Sequence, residues 1–564
     1  MTGADRSQLD PVEVAGGRRY SQETLLDSEG GLSAGSSSPS IGMTEKPYHS
    51  SSSPWDSWTV LCSSLDRHLH SRLGALPTPT HPGRLLKNAL IFLIPSFLSP
   101  YSTLEFKKYK PNSTEWLDGL RGIAAFCVFI SHHVVAYTGQ EHDYAWDPQR
   151  HAHVLQLPVI RLLYAGSAMV RIFFVISGFA LSCKPAKLMR KNGGQGALMK
   201  TLASSVFRRY LRLFLPCFGA FFMIHCWRAW GAFDWFELRH RANEQILPGS
   251  IEKYPPKSPD GFFGQMGLMF SEFYIFAIGN PILHEKYDFT TNKHMWTIPT
   301  EYGQSMALFL FMAMVSHLRR GFRVYVVAPA CYLFWVYYQR FDYPLFLSGY
   351  FLAELHAAIE TPSPLPVSQP IEIEDESSPA ARSRYFIKTL KTIFWSFLAF
   401  VGLYLLSFPT RDGYATFGYI NLCKMMPNSS YYIKRVGFQS FGASMLCLAI
   451  LYLPRVQAYL SLPVFQYLGR VSFSLYLVHG AVIRTMGHRL VLEGWSNYPP
   501  DAYAGRMLVT VMVWLFAILP TVIWLSDVFW RLVESPCTNF VRWTESLVVA
   551  KEGPVPNVGA VKMQ

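Results

Sequence analysis

Residues 116–133, WLDGLRGIAAFCVFISHH, decide how this chain is read. The stretch opens on a charged, glycine-bearing cluster (Asp118, Gly119, Arg121, Gly122), turns apolar, and closes on two adjacent histidines. As a helix it carries Arg121 and His132 on nearly one face, about 16 Å apart along the axis. His133 falls roughly 100° further round. An ionisable side chain deep in an apolar helix is expensive, and within a membrane it marks a functional position. A second reading stays open at this point: a buried histidine satisfied by a neighbouring helix's backbone.

The surrounding composition places that helix in a bilayer. Half of the 564 residues are apolar, 15% are aromatic and 16% are charged, against roughly 25% charged in soluble proteins. The apolar residues come in blocks, as expected of a multi-pass membrane protein. The net charge of +13 sits largely in short loops between blocks, where positive-inside bias accounts for it without a nucleic-acid partner. The nine cysteines are scattered with no C-x-x-C pair, so neither a metal site nor a disulfide framework is expected. The first eighty residues hold no apolar core of a signal peptide.

Taken in order, residues 1–84 are rich in Ser, Gly, Pro and Thr and read as a disordered cytoplasmic tail. Residues 85–110 read as an interfacial helix and linker, because the apolar run 85–98 is short and interrupted by Lys87, Asn88 and Pro95. Residues 111–540 form the membrane domain and 541–564 a C-terminal tail. The fold class is all-α: a polytopic bundle of about ten transmembrane helices. The expected spans are 120–137, 168–183, 210–227, 302–318, 322–338, 344–358, 391–408, 435–453, 471–489 and 507–527. Segment 228–295 is an outer segment with amphipathic pieces such as 263–278, and 359–390 a flexible Pro/Ser/acidic loop.

From Lys184 to Arg212 there are eight basic residues and no acid, and His317–Arg323 holds three arginines and no acid. Both loops therefore belong on the cytoplasmic side, which puts both termini inside and loop 138–167 outside. Asn428-Ser429-Ser430 is a glycosylation acceptor on the outer face of this scheme, while Asn112-Ser113-Thr114 lies inside. Loop 409–434 dissents, with Arg411, Lys424 and Lys434 on the outer face.

Further polar clusters interrupt the apolar background. Arg208, Arg209 and Arg212 open the third span. Arg208 and Arg212 are four apart, Arg209 and Arg212 three apart, so either pair shares a face. Such a cluster grips phosphates bidentately or anchors the helix to the inner leaflet. Ser177-Gly178 sits within FFVISGFALS, where small residues allow close helix approach. WTIPTEY (296–302) puts Pro299 and Glu301 at the mouth of the fourth span. GRVSFSLYLVHG (469–480) carries Arg470, two serines, Tyr476 and His479, and RLVESP (531–536) closes the last span.

These motifs, in this order, resemble the acyltransferase-3 family of multi-pass membrane O-acyltransferases. The resemblance rests on LDGLRG with the spacing from Arg121 to His132, then FFVISGF, RRYLRLFLP, WTIPTEY, YFLAELHA (350–357), GRVSFSLYLVH and VESP. It implies transfer of an acyl group, acetyl foremost, from acyl-CoA as co-substrate to a hydroxyl of a lipid, sugar or small metabolite. It assigns the family's essential Arg and His to Arg121 and His132, its arginine motif to Arg208, Arg209 and Arg212, and its tryptophan–glutamate segment to Trp296 and Glu301. Two departures stand: Trp296-Thr297-Ile298 replaces the usual W-S-L, and Ala353 the usual glycine of the sixth span.

Acyl transfer needs a base for the acceptor's proton, and histidine suits pH 7. His132 is the candidate base, Arg121 stands on its face, and Glu301 is the candidate orienter of the imidazole. A covalent acyl-His intermediate is also chemically open. Arg208, Arg209, Arg212, Ser177, Trp296 and His479 are candidate substrate-binding residues, with Asn428 glycosylated and no bound cofactor or metal. The rival class is a multi-pass transporter, in which intramembrane Arg, His and Glu line an ion or substrate path.

Overall fold

The computed structural model describes residues 91–96, 98, 113–191, 193–242, 246–249, 252, 254–279, 291–334, 340–360 and 379–548. The expected disordered tail 1–84 lies outside these residues, as do most of 85–110, the loop 361–378 and the end of the chain from 549. Regular structure among the described residues is helical, apart from one bridge between Asp147 and His151.

Eleven helices frame the site. They are α1 (Glu115–Tyr137), α2 (Gly166–Arg190), α3 (Gln195–Ala229), α4 (Gly261–Tyr274), α5 (Thr297–Val315) and α6 (Arg320–Tyr332). The rest are α7 (Asp342–Glu360), α8 (Pro379–Leu406), α9 (Tyr431–Leu451), α10 (Pro463–Val482) and the long helical run α11 (Tyr503–Leu547). Among the described residues, six stretches are long and apolar enough to cross a membrane, or seven if α9 and its 101° continuation Pro454–Leu460 count as one. They belong to α1, α2, α3, α4, α8 and α11. Helix α6, with 13 residues, and helices α5, α7 and α10 miss this test although spans were expected there. In α5, α7 and α10 polar residues are turned inward: Gln304 and Ser305, Glu354 and His356, Ser472, Ser474 and His479 are all buried.

Two differences from the sequence reading have plain physical causes. The piece 263–278, expected outside the membrane, is an apolar helix of spanning length. Its Phe263, Phe270, Tyr274 and Ile278 side chains remain exposed, as on a lipid-facing surface. Near its start Gln265 bonds the His225 ring at 2.9 Å, and after its end Tyr210 donates to the Ala277 carbonyl at 3.0 Å. Tyr210 and His225 stand about 22 Å apart along α3. Thr291, however, is back against His225 at 2.9 Å. Gln265, near the start of α4, and Thr291, after it in the chain, thus meet the same ring at one end of α3. Second, the helix does not end at VESP; α11 continues through it to Leu547, beyond the expected start of the tail at 541.

Close helix approach fixes the centre of the bundle. A Cβ at Gly178 of α2 would run into the backbone of Phe346 on α7, and one at Gly349 into Val175 and Phe179. Gly122 meets Gly469 in the same way, seating α1 against α10. Small residues at such crossings bring backbones together where apolar burial alone supplies no drive. The segment 91–98 docks on α11: Ser96 bonds Asp527, and Trp524 donates to the Leu93 carbonyl at 2.8 Å.

Candidate active site

The α1–α10 crossing sets the two ends of the site. Arg121 donates to the Gly469 carbonyl at 2.9 Å and to Ser472 Oγ at 3.1 Å, with Asp118 3.0 Å away. Three turns on, His132 meets two more histidines. His479 comes from α10, and His294 from the short 3-10 turn Lys293–Trp296 before α5. The ring centroids lie 5.1 Å (His132–His294), 5.2 Å (His132–His479) and 4.5 Å (His294–His479) apart. His133 faces away, against Tyr137 and Trp514. The shared helical face of Arg121 and His132 read from spacing is thus the face that lines the site.

Two cavities stack along α1. The first, about 270 Å³, is lined by Arg121, Arg209, Arg212, Ser177, Glu301 and Glu534. The second, about 370 Å³, is lined by His132, Glu252, His294, Trp296 and Arg484. They share Val170, Thr297 and Tyr476 as a common wall. Tyr476 donates its single hydroxyl proton to the His294 carbonyl, so Thr297 Oγ1, 2.6 Å away, is the donor in the Thr297–Tyr476 bond.

The expected pairing of Glu301 with His132 is not formed. Glu301 accepts from Arg209 at 2.5 Å and from Ser177 at 2.9 Å, in the first cavity. The carboxylate beside His132 is Glu252, whose Oε1 is 3.3 Å from His132 Nδ1 and 3.5 Å from His294 Nδ1. Burial alone would raise the Glu252 carboxyl, but His294 and His132 hold it well below the usual carboxylate range. Burial lowers His294, against an opposing pull from the Glu252 carboxylate.

The arginine motif divides. Arg209 and Arg212 enter the first cavity, whereas Arg208 turns to Glu545 of α11 at 3.3 Å and to its own Ser204 carbonyl. Both faces were compatible with helix spacing, and the neighbour of each face decided between them. Trp296 stays 46% exposed and lines the His132 cavity, while His479 is fully buried. Asn428 lies in an exposed turn. Sequence reasoning missed Glu252 and His294. His294 had a signal, two residues before the singled-out Trp296; Glu252, in a loop without periodicity, had none.

An all-helical, multi-pass membrane protein with a guanidinium pocket sharing a wall with an imidazole pocket has the parts of a group-transfer enzyme. The chain belongs to the family described as "Acyltransferase domain", which matches residues 114–531. The O-acetyltransferase PaAT-1 of Phomopsis amygdali is 30% identical over 519 residues, covering 86% of this chain and 94% of that protein. The acyltransferase clz18 of Cochliobolus lunatus is 23% identical over 76% of this chain and 96% of its own length. The acyltransferase R4 of a Phoma species is 22% identical over 68% of this chain and 86% of its own. No solved structure matches. The chain is an acyl-transferring enzyme of the membrane.

Proposed function

We propose that the chain transfers an acetyl group from acetyl-CoA to a hydroxyl of a lipid, sugar or small hydroxylated metabolite. The observation that supports this reading is the pair of cavities meeting at Tyr476 and Thr297. The first offers Arg121, Arg209 and Arg212 to the phosphates of CoA, and guanidinium–phosphate pairs are strong and directional. The second offers an imidazole to the acceptor. The name of the Phomopsis amygdali relative supports acetyl as the group moved.

In this reading the Glu252 carboxylate accepts from His132 Nδ1–H, leaving Nε2 as the base. Nε2 takes the acceptor's hydroxyl proton as its oxygen attacks the thioester carbonyl. The C–O bond forms, the C–S bond breaks, and the imidazolium returns the proton to the departing CoA thiolate. Arg121, Arg209 and Arg212 hold the donor, and Glu301 and Ser177 fix the direction of Arg209. Trp296 lines the acceptor side, and His479 is buried behind it against His132 and His294.

Ten crossings fit this arrangement: α1–α3 and α5–α11, with α4 dipping in and returning. Residues 111–540 are then the catalytic domain between tails 1–84 and 541–564, with Asn428 on the face opposite the termini.

The test incubates purified protein with radiolabelled acetyl-CoA and a hydroxylated extract of the host cell. Wild type moves label into a product one acetyl heavier. His132→Ala loses transfer by roughly 10²–10⁴-fold while still inserting, and His133→Ala retains it. Full transfer by His132→Ala would sink the mechanism.

A further inference from the structure

The histidine trio holds more unsatisfied polarity than a single base requires. His294 Nε2 is 2.9 Å from the Tyr476 carbonyl and His479 Nδ1 is 2.9 Å from the Leu475 carbonyl. A carbonyl only accepts, so each ring carries its proton on that nitrogen and presents a lone pair on the other. Those other atoms, His294 Nδ1 and His479 Nε2, are buried without a hydrogen-bond partner among the described residues. Glu252 Oε2 is in the same position. A lone pair on His294 Nδ1 facing the Glu252 carboxylate at 3.5 Å is repulsive unless a positive species lies between them.

We propose that His132, His294 and His479, with the Glu252 carboxylate, form a binding site for a zinc-class divalent cation. One ring nitrogen of each histidine lies within 4.8 Å of the others. Tetrahedral zinc with bonds of about 2.0–2.1 Å sets its nitrogens about 3.4 Å apart, so the rings must close by about an ångström. Imidazole and carboxylate are ligand types such an ion takes. The bonds of His294 and His479 to backbone carbonyls are the outer contacts that fix the tautomer of metal-binding histidines. Arg484, a cation of the same cavity, directs its hydrogen bonds to the Thr291 carbonyl at 2.7 Å and to Asn292 Oδ1 at 3.1 Å. The ion and a proton are the two candidates for the space between Glu252 and His294, and they are separable by experiment.

Full-length protein, purified in detergent and stripped with chelator, is titrated with Zn²⁺ against a competing dye, and with Co²⁺ followed by its d–d absorption. The expected result is one ion per chain, a tetrahedral cobalt spectrum, and at least a tenfold loss of affinity in His294→Ala, His479→Ala and Glu252→Gln. Size-exclusion elution of the metal-free variants checks folding, and the wild-type cobalt spectrum decides the matter if a variant misfolds. No binding, or binding unchanged in folded variants, overturns the site and leaves a proton there. Suppression of acetyl transfer by Zn²⁺ and its recovery with chelator rest further on His132 being the base. Specific binding without suppression therefore keeps the site and removes that role.

Discussion

Glu252→Gln separates the charge of this carboxylate from its shape. Glu252 Oε1 stands 3.3 Å from His132 Nδ1, and full charges at that distance attract by about 5 kcal/mol at an effective dielectric of about 20. Glutamine keeps a carbonyl that accepts from Nδ1–H but loses the charge that stabilises the imidazolium formed during transfer. If about half of the attraction is lost, the barrier rises by about 2.5 kcal/mol, approaching 10²-fold in kcat. The KM for acetyl-CoA should hold steady, because Glu252 lines the other cavity from Arg209 and Arg212. Ionisation of Glu252 itself should add no pH dependence to the wild-type rate in the assayed range. A carboxylate whose folded value is depressed contributes fully above its unfolded value, about 4.3, and loses that contribution only as pH falls through the lowered value. From about pH 5 to 8 the wild-type group is therefore ionised throughout. The assay is initial-rate transfer across that range, with membrane abundance measured in parallel. A Glu252→Gln enzyme within threefold of wild type, or one impaired only through donor KM, would refute the assignment.

Other expectations follow from the same geometry. Glu301→Gln should raise donor KM more than it lowers kcat, since its partner is Arg209; a loss matching that of His132→Ala would return Glu301 to the base. Arg209→Ala and Arg212→Ala should each raise KM for acetyl-CoA roughly tenfold or more, at about 1.5–3 kcal/mol per charged hydrogen bond, while Arg208→Ala leaves it within about threefold. Gly178→Leu should prevent stable accumulation in the membrane, because even a Cβ there would lie 2.8 Å from the Phe346 Cα; normal abundance by immunoblot would contradict the α2–α7 packing. Asn428→Gln should abolish the mobility shift on deglycosylation, and a glycan on Asn112 would invert the topology.

Composition and local periodicity reach a definite distance into this protein. Blocks of apolar residues with few charges specify an all-helical membrane protein, because a bilayer core leaves backbone groups no partner but the helix itself. Within one helix, spacing also fixes azimuth, which is why Arg121 and His132 were placed on one face and His133 off it. Azimuth within a helix carries no information about the neighbour it meets. Arg208 and Arg209 were both eligible for the site, and only the position of α11, with Glu545, drew Arg208 away. Glu301 stood at the mouth of a helix as an apparent partner for histidine, yet α2 and α3 bring Ser177 and Arg209 to it instead. The spanning length of α4 was missed because an exposed aromatic helix reads alike on a membrane surface and within it. Glu252 was invisible for a deeper reason. It lies in an irregular segment whose path is set by contacts far apart in sequence, so its place beside His132 and His294 exists only once α1, α10 and the turn before α5 have packed together.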